Sequence, residues 1–388
     1  MEEKVDRKIV IRASDCIISP LGMSSEENYA AVYAGESAVR RYENMGKRGE
    51  SVVMSRLDRE KIAKERKRRG IGEEYTFFEG LCIMAALDAV AAARVHASSE
   101  RTLFVISTTK ANVSMLGGAN PQLPEDRELP GVAARAVSGF FRNPNAPLVV
   151  CNACISGVSA QILALRALKS GRYDAAVVVG ADEQSEFIFS GFLSFKALSD
   201  EPCRPFDADR KGLNPGEAAA AIVLKAVDKA EKGDWVLVAG ASRNDANHIS
   251  GPSRTGEGSM LVLREMLRCC TPDELAFINV HGTATAYNDE MESIAIDRAG
   301  LSEVPVTGLK GCYGHTMGAA GLLESILAMR AVEHGCVLAT RGFSRPGVSR
   351  PVNVSSENRP TDRHSFIKLI SGFGGSNAAL LYRQEGEL

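Results

Sequence analysis

The segment 147–179 constrains this chain more than any other. Pro147-Leu148-Val149-Val150 reads as a buried strand, and Cys151-Asn152-Ala153-Cys154 as a turn. Residues 155–170 follow as a helix, with Ile155, Val158, Ile162, Leu165 and Leu168 on one face and Gly171 closing it. Residues 175–179 form another apolar strand at once. Strand, helix and strand in that order need a crossover, so the segment predicts an α/β fold with a parallel sheet covered by helices.

The second half repeats the theme. Residues 235–239 read as a strand, 259–269 as a helix, and 276–280 as a strand running into His281. Residues 290–299 look helical. The apolar run 304–306 leads through a glycine-containing turn into a helix over 318–334, closed by Gly335. Strands at 366–371 and 378–382 flank Gly372-Phe373-Gly374-Gly375. The halves share a strand–reactive turn–helix pattern without evident residue identity and meet near 227–234, which divides the chain into 1–230 and 231–388. Upstream, 9–19 is β-rich, Ser24-Ser25-Glu26-Glu27 has helix-start chemistry, and 73–95 has the alanine content and spacing of a buried helix. Residues 102–107 read as a strand, and 110–130, with several Gly, Pro and Asn residues, as a long excursion.

A sheet of this kind needs a large core, and the composition supplies one. The 388 residues are 45% hydrophobic and 24% charged, which also favours solubility. A formal charge of −2 excludes a generally basic nucleic-acid binder. The first eight residues hold no apolar stretch, and no apolar run approaches membrane-spanning length. The expectation is a cytoplasmic protein with neither membrane nor nucleic acid as partner. Nine scattered cysteines in a chain that needs no staples then read as thiols.

Among those thiols Cys154 stands apart, because it sits where a strand's end becomes a helix's beginning. Free N–H groups and the positive end of the helix dipole favour a thiolate there, the form that attacks carbonyls. Ala153, Ser156 and Gly157 leave room for a substrate. A buried cysteine is also commonly a small hydrophobe, and Cys-x-x-Cys can be half of a zinc site or a redox pair. No second Cys-x-x-Cys exists, so no metal site is expected. His281 opens His281-Gly282-Thr283-Ala284-Thr285 after an apolar strand, and His315 lies in the glycine-rich run from Lys310 to Gly321, directly before a helix. Two histidines suit stabilisation of one developing enolate better than the base-and-orienter pair of a cysteine protease. Gly372-Phe373-Gly374-Gly375-Ser376-Asn377 could present backbone N–H groups to an oxyanion, or be only a flexible turn. No nucleotide-binding glycine motif is present.

Together these residues resemble the β-ketoacyl–acyl carrier protein synthases of the elongating, Cys-His-His type. The matching stretches are Ala153-Cys154-Ile155-Ser156-Gly157, Arg204-Pro205-Phe206-Asp207 with Gly216-Glu217-Ala218, His281 to Thr285, Lys310 to Gly321, and Gly372 to Asn377, in the family's order over nearly the whole chain. The resemblance implies a thiolase fold, five αβαβα layers built from two similar halves, and a dimer. It implies that Cys154 takes an acyl group from a thioester on the phosphopantetheine of acyl carrier protein, with no tightly bound cofactor. The amides of Cys154 and Phe373 would form the oxyanion hole, and His281 and His315 would assist malonyl decarboxylation and hold the enolate. Lys310 would pair with Glu292 behind the histidines, Thr283 and Thr285 would touch the phosphopantetheine arm, and Phe373 would act as a gate.

The run Lys61, Lys64, Arg66, Lys67, Arg68, Arg69 is either a solvated helix face or, as in similar synthases, the surface that docks an acidic carrier protein, with Lys64, Arg68 and Arg69 as its contacts. Several residues depart from the common pattern. Ile155 is bulkier than usual after the nucleophile and is expected to narrow the acyl pocket; Asn288 and Ala219-Ala220 stand where glycine is frequent. Lys110 stands near where the family places a small or apolar acyl-tunnel residue. Two other readings stay open: a silent ketosynthase-like subunit supporting an active partner in a heterodimer instead of a homodimer, and a thiolase. The first usually lacks the nucleophile, and the second typically carries Cys-His-Cys.

Overall fold

A computed structural model describes residues 8–45, 49–116 and 123–386. The N-terminal residues read above for a signal segment, apart from Lys8, and positions 117–122 of the long excursion lie outside them. The first half runs β1 (Ile9–Ile18), α1 (Ser25–Tyr33), a small ribbon of β2 (Arg40–Tyr42) and β3 (Val52–Met54), α2 (Arg59–Arg68) and α3 (Phe77–Ala93). It continues with β4 (Thr102–Ser107), α4 (Pro130–Phe140), β5 (Leu148–Val150), α5 (Ser156–Lys169), β6 (Ala175–Asp182), α6 (Glu186–Ser194) and β7 (Ala218–Val227). The second half runs β8 (Trp235–Asn244), α7 (Glu257–Met266), β9 (Leu275–Asn279), α8 (Ala286–Arg298), β10 (Pro305–Thr307), α9 (Lys310–Tyr313) and α10 (Ala320–Glu333). Last come β11 (Cys336–Val337), β12 (Asn353–Val354), β13 (Arg359–Pro360), β14 (Ser365–Gly372) and β15 (Ser376–Gln384).

The two halves use one strand plan. In the first, β5, β4 and β6 lie parallel, and β7 and β1 continue antiparallel. In the second, β10, β9 and β14 lie parallel, and β15 and β8 continue antiparallel, with β12 added beyond β10. The halves join where Ile11 pairs with Val236 and Arg12 with Trp235, giving one sheet of eleven strands. Helices α5 and α10 pack on each other and reach strands of both halves, while α3 covers the outer face of the first half and α7 that of the second. The layers are therefore αβαβα, the thiolase fold. One core cluster lies between the halves, around Ile155, Val158, Leu322 and Phe366, and two more lie under α3 and α7.

The central helices meet backbone to backbone. A Cβ on Gly157 would fall 2.9 Å from the Gly318 carbonyl, and one on Gly321 would fall 2.5 Å from the Val158 amide, so only glycine permits the crossing. Gln161 Nε2 donates to the Gly321 carbonyl at 3.1 Å across it. This contact sets the start of α5 against the approach to α10, which brings Cys154 and His315 to one place.

Local chemistry explains where elements start. Ser24 accepts from the Glu27 amide at the head of α1, and Thr76 with Glu79 forms a capping box on α3. Three expectations need correcting. The strand ending at Val150 is not buried: β5 pairs only with β4 and is an edge, so Leu148 is 37% exposed. Helix α8 starts four residues before 290, because Thr285 leads straight into it. The stretch after the long excursion and the segment after β6 form α4 and α6, two helices that periodicity alone did not predict. Among the described residues no helix is long and apolar enough to cross a membrane.

Candidate active site

The turn between β5 and α5 holds Cys154 under constraint. Ala153 adopts φ +45°, a left-handed conformation that a non-glycine residue takes only when its surroundings impose it. Ser156 imposes it here: its hydroxyl donates to the Ala153 carbonyl (2.6 Å) and accepts from the Asn152 amide (2.8 Å). Opposite, the β14–β15 hairpin comes so close that a Cβ on Gly372 would lie 3.1 Å from the Cys154 amide nitrogen. The Phe373 amide draws the Cys154 thiol's pKa down, against the effect of burial. The hairpin thus brings Gly372 and Phe373 up to the turn that carries the thiol.

His281 leaves the end of β9 in a loop whose carboxylate partners lie on α8. Glu292 accepts from the His281 and Gly282 amides, both at 2.7 Å, and from Asn288 Nδ2 at 2.8 Å. Asp289 accepts from the amides of Ala284 (3.2 Å) and Phe206 (2.7 Å). Asn288, where glycine is common, is therefore a donor to the same carboxylate. Burial and the neighbouring Asp289 push Glu292 above the usual carboxylate range, against the pull of the two amides.

His315 follows α9 and the left-handed Gly314. The Met317 amide donates to its Nδ1 at 3.2 Å, which makes Nδ1 an acceptor and leaves the proton on Nε2. That Nε2 is buried without a partner, as is Nδ1 of His281. Ligand atoms of Cys154, His281 and His315 all lie within 4.8 Å of one another, and the two imidazoles meet edge to face with centroids 5.0 Å apart. Burial drives both histidines well below their ordinary pKa, and Lys310 adds to the effect. Both are neutral, and each has one buried nitrogen without a partner.

Burial also pushes the Cys154 thiol up to about 11, although Lys310, Lys110 and the Phe373 amide draw it down. The expectation of a resting thiolate therefore needs correcting. Desolvation outweighs the helix start, so at neutral pH the free protein carries a thiol beside two neutral imidazoles able to accept its proton.

The ion pair expected of Lys310 with Glu292 is not made. Lys310 Nζ donates to Glu324 Oε1 at 2.8 Å and to the His281 carbonyl at 2.5 Å. Glu324 also takes Lys368, which donates to the Val280 carbonyl at 3.1 Å. Glu292 is already occupied by backbone amides, so the cation turns to the carboxylate on α10. Lys310 and Lys368 hold Glu324 below the usual carboxylate range against its burial. Sequence reasoning missed Glu324 and Lys368. Their signal was a lone acid inside an apolar helix and a lone lysine inside the apolar strand Phe366-Ile367-Lys368-Leu369-Ile370.

A cavity of about 520 Å³ opens onto Cys154, His281 and His315. Thr283 and Thr285 line it and share a 2.9 Å hydrogen bond, and Phe373 lines it beside Phe192 and Phe195, which α6 and its end contribute. Ile155 does not line it. That side chain is 1% exposed and points into the core between the halves, because the helix start turns it away from the thiol. On α2 and its end, Lys64 and Arg68 are exposed, and Arg68 bonds Glu65 at 2.7 Å. Arg69 is not free for docking: its side chain is 11% exposed and ties to Asp88 (2.6 Å) and the Met84 carbonyl (3.1 Å) on α3.

Comparison with known proteins shows the family. Family models described as the β-ketoacyl synthase N-terminal and C-terminal domains match residues 6–230 and 235–344. Nodulation protein E of Rhizobium leguminosarum bv. trifolii is 32% identical over 266 residues, 66% of each chain, so the match spans just under two thirds of that relative's length. The 3-oxoacyl-[acyl-carrier-protein] synthase 2 of Vibrio harveyi is 26% identical over 98% of this chain and 99% of its own. Among solved structures, the ishigamide ketosynthase/chain length factor superposes with a TM-score of 0.84 at 25% identity, covering 98% of this chain and 100% of that one.

Proposed function

Because this chain belongs to the β-ketoacyl synthase family, we propose that it performs a decarboxylative Claisen condensation in fatty acid or polyketide biosynthesis. A carrier-bound acyl thioester transfers its acyl group to Cys154 Sγ, the thiol proton passes to an imidazole, and the carrier thiol leaves with a proton. Malonyl on acyl carrier protein then loses carbon dioxide. The resulting enolate carbon attacks the acyl-cysteine carbonyl, the C–S bond breaks, and β-ketoacyl–carrier protein departs. Neutral donors suit the enolate oxygen, and the committed Nε2–H of His315 is one, while the amides of Cys154 and Phe373 serve the tetrahedral oxyanion. An apolar cavity keeps water from quenching the carbanion.

The phosphopantetheine arm passes Thr283 and Thr285, and no resident cofactor is needed by this chemistry. The carrier docks on Lys64, Arg68 and neighbouring exposed lysines. The chain works in the cytoplasm as a homodimer or, like the solved ketosynthase with its chain length factor, beside a ketosynthase-like partner. A silent subunit is the weaker reading, since Cys154, His281, His315 and Lys310 are all present; a thiolase is weaker because the second reactive motif carries His315 where thiolases carry cysteine.

The observation that carries this reading is the convergence of one thiol and two buried imidazoles, with one ligand atom of each within 4.8 Å of the others. The purified chain, given an acyl donor and malonyl-carrier protein, should release carbon dioxide in step with β-ketoacyl product. Product without carbon dioxide would point to a thiolase, and no product from the chain alone to a silent subunit.

A further inference from the structure

Three phenyl rings line the cavity that opens onto Cys154, and they differ in what holds them. Phe192 is buried in an apolar cluster with Val113, Ile188, Leu213 and Met317, and its ring lies 6.5 Å from the His315 imidazole. Phe373 is half-buried in the turn of the β14–β15 hairpin. Its ring meets both others, with centroids 6.1 Å from Phe192 and 5.1 Å from Phe195, the second contact edge to face. Phe195 is 50% exposed. Burial does not account for a phenyl ring there; the edge-to-face contact does, because it sets a positive ring edge against a negative ring face.

Phe195 stands on a rigid support. It caps the C-terminus of α6, and the chain then closes a Schellman motif: the Lys196 amide donates to the Leu193 carbonyl (3.0 Å) and the Ala197 amide to the Phe192 carbonyl (3.2 Å). Lys196 takes φ +52° to complete it, a left-handed conformation that a non-glycine residue keeps only where its surroundings hold it. The Leu213 amide donates to the Ala197 carbonyl at 2.8 Å, which ties this turn to another lining residue. The hairpin, by contrast, is tied from behind Phe373. The Gly374 amide donates to the Ile249 carbonyl (2.7 Å), Asn244 Nδ2 to the Gly374 carbonyl (2.7 Å) and Ser376 Oγ to the Phe373 carbonyl (3.1 Å). These bonds fix the backbone beyond Phe373, and the placement of its side chain comes from the two rings.

We propose that Phe195 is a positioning residue for the condensation. Its ring, fixed at the end of α6, holds the Phe373 ring in the cavity that leads to the thiol, and so keeps the Phe373 amide placed for the acyl carbonyl oxygen. This rests on the proposed acyl transfer to Cys154 with the Phe373 amide as an oxyanion donor.

Two reactions of one thiol separate these effects. Alkylation by iodoacetamide, in which the sulfur displaces iodide, passes through no oxyanion and needs only access, whereas acyl transfer also needs the amide in place. The full chain is treated in separate reactions with iodoacetamide and with hexanoyl pantetheine thioester, as wild type, Phe195→Ala, Phe195→Leu and Phe195→Tyr. Rates are read by mass on the peptide that carries Cys154, with the exposed Cys269 as an internal control. Phe195→Ala should speed alkylation and slow acylation, each by about two- to tenfold, the range an aromatic pair contributes. Phe195→Leu, which keeps apolar bulk without a ring edge, should move both rates the same way as alanine, and Phe195→Tyr should restore both to wild type. Rates unchanged in Phe195→Ala, or two rates that rise or fall together, overturn the proposal while leaving the acyl transfer intact. If wild-type Cys154 takes no acyl group from this thioester or from a carrier-bound donor, the reaction reading fails and this inference with it.

Discussion

The two halves carry the same strand plan, yet they support their reactive turns with opposite electrostatics. In the first half, one buried carboxylate, Asp182, lies under the β4 end and is held by neutral donors alone, two threonine hydroxyls and two amides. In the second half, Glu324 is held by two buried ammonium groups, Lys310 and Lys368, which also brace the backbone carbonyls of His281 and Val280. In the proposed reaction the first half delivers a thiol that gives up its proton, and the second delivers two imidazoles that are neutral at rest. Burial depresses the histidines, and the charges of Lys310 and Lys368 add to it. A repeated scaffold thus fixes where the turns meet, and the buried charges beneath each turn decide what it does there.

The sharpest way to break this comparison is to remove the anchor of each half. Glu324→Gln leaves two buried ammonium groups without a counter-charge, and should lower unfolding free energy by about 3–5 kcal/mol, read by denaturant titration. Asp182→Asn keeps a polar group among neutral partners and should cost less, about 1–3 kcal/mol. Equal losses would mean that the halves do not differ in the way described.

Proton linkage gives a second, smaller effect. Folded His281 and His315 have pKa values below their ordinary 6.5, so the unfolded chain binds more protons as pH falls. Their contribution to stability is full above about pH 6.5 and is lost as pH drops below it toward the depressed folded values. Lys310→Met removes part of the depression and should flatten that acid slope; a slope unchanged from wild type would detach Lys310 from the histidines. The smallest effect concerns the exposed face of α2. Lys64→Glu with Arg68→Glu should slow turnover of carrier-bound substrate by about tenfold or less at low salt and spare small thioesters. Equal slowing with both substrates would refute docking there.

Much of this was legible in the sequence because local rules and global fold agree. The 147–179 unit announced a parallel sheet, Gly171 and Gly335 closed their helices, and Cys154, His281 and His315 each stand at an element's end, where a side chain can meet others. What stayed hidden depended on distance along the chain. Glu324 follows Lys310 by one helix and one turn, but Lys368 reaches it from a strand laid alongside, and no periodicity reveals that meeting. The resting state of Cys154 was misjudged for the same reason: a helix start is visible in sequence, whereas the burial that outweighs it is a sum over both halves. Ile155 was assigned to the pocket by adjacency to Cys154, but the first turn of α5 rotates it into the core.

The central claim is that Cys154 alone carries the acyl group. After incubation with a carrier-bound acyl donor in the absence of malonyl groups, the chain should be digested and its peptides weighed. The acyl mass is expected on Cys154 and to vanish in Cys154→Ala, with condensation product vanishing alongside. An adduct on Cys151 instead, or β-ketoacyl product from Cys154→Ala, would contradict the account.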